Sequence, residues 1–118
     1  MAFRYESMKV TSNVRVFIKD IYILTKQLPP DERFSLIQQL QRASTSILLN
    51  LAEGSARKTP KEFSRFLTMS LGSAMECHAA LTISLDLGYI TKVTFKKYRV
   101  QIEDIWIQLC AIRNSQQR

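Results

Sequence analysis

Arg42, Ser46, Asn50 and Glu53 are the residues of this chain whose types and spacing come nearest to a site. At about 100° per helical residue they fall within roughly 80° of one another, beside an apolar row. Glu53 and Glu76 are the carboxylates there that general acid–base chemistry would use. Neither has a second acid, a histidine or a nucleophile arranged around it. The serines and threonines have no base partner. His78 is the only histidine. With no second histidine and no cysteine or acidic cluster at ligand spacing, no metal site is expected. The chemistry of the row points away from catalysis and cofactors, and toward a polar contact that holds two elements together.

The elements that must position the row are legible from punctuation. Glycine and proline are scarce, three of each, and they cut the chain into four helical pieces. The first is expected over 12–27, with Val10, Val14, Phe17, Ile21, Leu24 and Leu28 alternating steps of four and three, a heptad seam. Leu28-Pro29-Pro30 ends it. The second is expected over 31–53, with Asp31 as N-cap, Phe34, Leu36, Ile37, Leu40, Ala43, Ile47, Leu48 and Leu51 inward, and Gly54 as the stop. The third, 60–87, opens on Thr59-Pro60-Lys61-Glu62, a capping box with proline at the first helical position. Its seam is Phe63, Leu67, Ser70, Ala74, Cys77, Leu81 and Leu85, and Gly88 is its stop. The fourth, 92–113, begins at Thr91 or Thr94 and carries Phe95, Tyr98, Ile102, Ile105, Leu109 and Ile112. The tail from Asn114 to Arg118 is expected to fray.

Four amphipathic helices on short loops imply an all-α, antiparallel up-down-up-down bundle of one domain, 1–118. Folding the second and third helices back on one another brings Glu76 within about one turn of Arg42. The two are expected to pair, and Gly72 is expected to allow close backbone approach opposite Arg42-Ala43-Ser44. Folding the third and fourth helices back around residues 89 and 90 offsets Cys77 and Cys110 by roughly eight residues, about 12 Å. Disulfide geometry needs Cα atoms within about 7 Å, so both are read as free thiols. No apolar run approaches the ~20 residues of a membrane span. No hydrophobic signal region opens the chain, so a cytoplasmic protein with no membrane partner is expected.

The central residues also resemble a known signature. Arg42-Ala43-Ser44, Ser46-Ile47, Asn50-Leu51-Ala52-Glu53-Gly54 and Arg57 are similar to the motif of a small bacterial four-helix-bundle family. That family was first known from proteins encoded in intervening sequences of 23S rRNA genes. Phe66-Leu67, Gly72-Ser73, Glu76 and Leu87-Gly88-Tyr89-Ile90 match its second half, so the resemblance covers most of residues 10–113. Leu48-Leu49, Met75 and Cys77-His78 depart from the usual pattern. The family includes the accessory variability determinant of diversity-generating retroelements. The resemblance implies a homopentameric ring, binding of DNA or RNA, a reverse transcriptase as partner where a retroelement is present, and no enzymatic activity.

Charge says where nucleic acid would lie. The chain carries +7, unevenly: +3 over residues 1–28, +1 over 29–58, −1 over 59–88 and +4 over 89–118. A basic balance of this size points to an acidic partner, nucleic acid first. Arg15, Lys19 and Lys26, with Tyr22 among them, share a face of the first helix. Lys92, Lys96 and Arg99, with Lys97 nearby, share a face of the fourth. In an up-down bundle these helices are neighbours and would form one basic wall reading phosphates rather than sequence. Val93, Val100 and Ile107 repeat every seven residues on a second apolar stripe of the fourth helix, beside Trp106. Such a stripe is expected to meet another subunit. The competing reading is a protein–protein adaptor whose basic face meets an acidic protein.

Overall fold

Thr59 caps the longest helix: its hydroxyl accepts the Glu62 amide at 3.2 Å. Pro60 takes the first helical position, where a missing N–H costs no hydrogen bond. This helix, α3, runs Pro60–Asp86. Gly88 closes it at φ +77°, a left-handed conformation that glycine adopts without strain. Thr91 then accepts the Thr94 amide at 3.1 Å and starts α4, Lys92–Gln116. Upstream, α1 spans Lys9–Thr25 and α2 spans Gln38–Ser55. The computed structural model describes residues 1–117, and among them there is no strand. The helices form a four-helix bundle of 44 × 24 × 20 Å.

The seams expected from sequence are the core. Val10, Val14, Phe17, Ile21 and Leu24 of α1 are buried against Leu40, Ile47 and Leu51 of α2, Phe63, Leu67, Ala74, Cys77 and Leu81 of α3, and Tyr98, Ile102, Ile105 and Leu109 of α4. Hydrogen bonds fix the register. Between α2 and α3, Ser70 Oγ donates to the Ile47 carbonyl at 2.9 Å and Ser73 Oγ reaches Ser46 Oγ at 3.0 Å. Gln39 Nε2 donates to Glu76 at 2.8 Å along the same seam. Between α1 and α4, Asn13 Nδ2 donates to Asp104, Gln101 Nε2 to Asp20, each at 3.0 Å, and Tyr98 OH to the Asp20 carbonyl at 2.7 Å. In both pairs the numbering rises on one helix as it falls on the other.

Several local expectations are corrected. The first helix begins at Lys9, not Ser12, because Thr11 anchors its start by donating to the Tyr5 carbonyl at 2.6 Å. Asp31 caps nothing: it lies in a 3₁₀ turn, Pro30–Glu32. A π-helical turn, Arg33–Ile37, follows before α2 proper. A π turn takes one residue more than an α turn, so it rotates the side chains ahead of it relative to α2. Phe34, expected to face inward, is 79% exposed: six residues before Leu40, it lies about 120° from that core residue even at regular α-helical spacing, and the Arg33 guanidinium stands 5.3 Å from its ring centroid. At the other end of the chain α4 continues through Gln116, three residues beyond the expected stop. Arg118 lies outside the described residues.

Neither mid-chain glycine plays the part its position suggests. Gly54 does not terminate α2 with a left-handed residue; the helix runs on to Ser55, and Gly88 alone has positive φ among the described residues. Gly54 is instead the point of closest approach. A Cβ there would stand 2.5 Å from Phe66 Cβ and 3.0 Å from Phe63 Cδ1. Gly72 is exposed, and a Cβ on it would meet nothing within 4 Å.

Candidate nucleic-acid interface

The polar row is a stitch between helices. Asn50 Nδ2 donates to the Ser46 carbonyl and to Ser46 Oγ, both at 3.0 Å, and Ser46 in turn contacts Ser73 on α3. Arg42 and Glu76 do not pair. Both are exposed and border a polar cleft with Gln39, Ser46 and Ser73, but Glu76 is taken by Gln39 and no ion pair forms between them. Helix side chains lean toward the N-terminal turn, and here that lean brings Gln39 rather than Arg42 to the carboxylate. Glu53 has turned to its own helix end, where it holds Arg57 at 2.6 Å.

Burial, with the Glu76 charge adding to it, pushes the Cys77 thiol up to about 12, so it stays protonated and unreactive near neutral pH. Cys77 and Cys110 are both free, as the hairpin arithmetic requires. Among the described residues no group of three metal-ligating side chains comes together, and no helix is long and apolar enough to cross a membrane.

The cationic side chains are where an anion can reach them. Arg15, Lys19, Tyr22 and Lys26 are all exposed and fall within about 60° on α1. Lys92, Lys96, Lys97 and Arg99 are exposed on α4. Arg99 is partly spoken for: it donates to Glu103 at 2.8 Å, a surface pair worth about 0–1 kcal/mol. The two rows do not merge into one wall. Arg99 leans toward α3, lining a groove with Met75, His78 and Trp106, while the α1 flank that meets α4 carries Val16 in a groove with Asn13, Gln101 and Asp104. By helical position, exposed apolar side chains lie between Arg15, Lys19 and Lys26 on α1 and Lys92, Lys96 and Arg99 on α4, with Lys97 on their α1 side: Val16 and Ile23 from α1, and Val93 (82% exposed), Val100 and Ile107 from α4. Val93, Val100 and Ile107 are thus solvent-facing in the protomer, whereas Trp106 is half-buried in the α3–α4 groove, which encloses about 310 Å³.

Sequence reasoning missed a third basic group. Arg57, Lys58, Lys61 and Arg65 straddle the α2–α3 loop, and Arg4 from the N-terminal 3₁₀ turn joins them by placing its guanidinium 4.9 Å from the Phe63 ring centroid. Summing charge by helix split this group among three segments, one of them net negative. The signal was the cation spacing across the loop, read without regard to helix boundaries.

A family model described as 23S rRNA-intervening sequence protein matches residues 6–111. Among solved structures, the chain is similar to the 1.70 Å crystal structure of a protein of unknown function from the S23 ribosomal protein family of Bacteroides thetaiotaomicron. The two share 25% identity and superpose with a TM-score of 0.81, over 88% of this chain and 97% of that one. A comparison with curated proteins returns no match.

Proposed function

We propose that this chain, which belongs to the 23S rRNA-intervening sequence protein family, is a non-catalytic oligomeric scaffold that binds nucleic acid through its phosphate backbone. The observation that carries the reading is the exposed apolar strip of α1 and α4 running between two exposed cationic rows. Burying the strip between copies removes it from water and sets the rows side by side around the assembly. Phosphate contacts repeated over several copies add by avidity, so weak single contacts suffice. On this reading the protomer is an antiparallel up-down-up-down bundle, the assembly a homopentameric ring, and the setting the bacterial cytoplasm. A reverse transcriptase is the protein partner where a retroelement is present.

The test couples the two properties. Light scattering on the eluting peak should give an oligomer for the native chain and a monomer for Val100→Glu with Ile107→Glu. Anisotropy with labelled, unrelated single-stranded DNA and RNA should show binding that weakens from about 50 to about 200 mM salt. Lys92→Glu, Lys96→Glu and Arg99→Glu should weaken it further. Binding indifferent to salt would overturn the electrostatic reading. A second reading, a protein adaptor, draws on the apolar α3–α4 groove beside Trp106; it predicts an oligomer with no affinity for either nucleic acid.

A further inference from the structure

The geometry points to a second phosphate-binding surface at the α2–α3 loop end of the bundle, formed by Arg4, Arg57, Lys58, Lys61 and Arg65 and aimed at a nucleic-acid strand. It rests on the nucleic-acid reading above but places the contact away from the α1 and α4 rows.

Three observations carry it. The arginines are held ready rather than loose. The Arg57 guanidinium stands 4.8 Å and that of Arg65 5.4 Å from the centroid of the same ring, Phe66. The two charges are thus no farther apart than the sum of those distances. Arg4 is set over neighbouring Phe63 in the same way. Stacking fixes the plane of a guanidinium while leaving its N–H edge free, which lowers the entropy lost when the fork meets a phosphate. Second, the platform is fixed from beneath: Phe63 and Phe66 are buried, and both press on the Gly54 backbone where α2 and α3 come closest. Glu53 engages one terminal nitrogen of Arg57 at 2.6 Å, an exposed pair of the same kind as Arg99 with Glu103, and leaves the other N–H groups of the fork to a phosphate.

Third, the chemistry of the surface selects the partner. All five cations are exposed, and the shallow depression beside them is bordered by Thr59, Lys61, Glu62, Ser64, Arg65 and Thr68, with no large apolar side chain on its rim. A protein partner would ask for a cluster of large apolar side chains at its centre, and the rim of the depression has none. Three carboxylates lie nearby. Glu53 is engaged by Arg57, Glu6 accepts the Phe3 backbone amide at 2.7 Å, and Glu62 is the one whose carboxylate has no hydrogen-bond partner among the described residues. Phe3, 62% exposed beside Arg4, offers a face on which a base can stack.

The experiment is anisotropy with a labelled single-stranded RNA on the full chain, comparing the native protein, Arg57→Gln with Arg65→Gln, and Lys92→Gln with Lys96→Gln. Losing two phosphate contacts on a single strand should flatten the slope of log Kd against log salt by about 1.4, at about 0.7 per contact, and weaken binding at low salt by about tenfold or more. Because the arginines also cover Phe66, Lys58→Gln with Lys61→Gln is measured alongside. Those lysines touch no core ring, so a loss of slope there is free of folding effects. Arg57→Lys with Arg65→Lys should keep the slope yet lose affinity, since charge remains but the stacked fork is gone. An unchanged slope in both loop-end Gln pairs, with loss in the α4 pair, overturns this surface and leaves the lateral rows standing. A native chain that does not bind RNA removes both. Polyglutamate competing as well as RNA at equal charge would also overturn the assignment, in favour of a general polyanion surface.

Discussion

Gly54→Ala is expected to destabilise the bundle, and Gly72→Ala to stabilise it, although both put alanine into a helix. The new methyl at position 54 would stand 2.5 Å from Phe66 Cβ, 3.0 Å from Phe63 Cδ1 and 3.3 Å from Phe66 Cγ. Phe66 Cβ is bonded directly to the backbone, so a rotamer change does not relieve the clash; α3 itself must retreat. Overpacking of this kind costs about 1–3 kcal/mol. Alanine returns up to about 1 kcal/mol of helix propensity, less at position 54 because it lies in the last turn of α2. The net loss is about 1–2 kcal/mol, or roughly 5–10 °C in melting temperature for a domain of about this size. At Gly72 the methyl meets nothing within 4 Å, so only the propensity gain remains, up to about 1 kcal/mol. Thermal and urea melts of the two variants beside the native chain decide the matter. Gly54→Ala melting at or above the native temperature would refute the close approach, and a loss at Gly72 would refute the claim of open space.

Arg42→Gln and Glu76→Gln should give additive stability effects in a double-mutant cycle, with a coupling near zero, because the two charges are not in contact; Gln39→Ala with Glu76→Gln should couple instead. Ser70→Ala is expected to cost about 1 kcal/mol by removing the buried bond to the Ile47 carbonyl, readable as a shift in urea midpoint at constant slope. Burial raises both Cys77 and Tyr98, whose ordinary values are 9.0 and 10.0, the first to about 12. Groups raised on folding stabilise fully below their unfolded values and lose that contribution as pH rises through the folded ones. Melting temperature should therefore fall between about pH 9 and pH 12. The fall should be shallower in Cys77→Ala. In native buffer near pH 8, iodoacetamide should modify half-buried Cys110 well before Cys77, as read by peptide mass spectrometry; comparable rates would contradict the burial of Cys77.

The seams of α1, α3 and α4 were readable because every third or fourth residue is apolar and nothing in those stretches disturbs the α-helical step. Phe34 was misassigned although its spacing sets it about 120° from Leu40, and the π turn itself was not readable, because it inserts a residue without leaving a proline or glycine to announce it. Gly54 was misread for a related reason. A glycine near a helix end serves a cap or a close approach equally well in sequence, and only the rings of Phe63 and Phe66, across the α2–α3 loop, decide between them. Arg42 and Glu76 share a level on facing helices, and the choice between Arg42 and Gln39 as the partner of Glu76 is made by side-chain direction, which residue spacing does not encode. The loop-end cations escaped because charge was summed over helices, while the bundle gathers residues by its ends.

The π turn at Arg33–Ile37 also bears on which length changes the chain can absorb. Such a turn holds one residue beyond what an α-helix of the same rise needs. A single deletion there can be taken up by tightening the turn into regular helix, leaving Leu40, Ile47 and Leu51 on their present face. The same deletion in the middle of α3 would rotate every later residue by about 100° and empty the core of that helix. Variation in length among chains with this architecture should therefore collect ahead of α2.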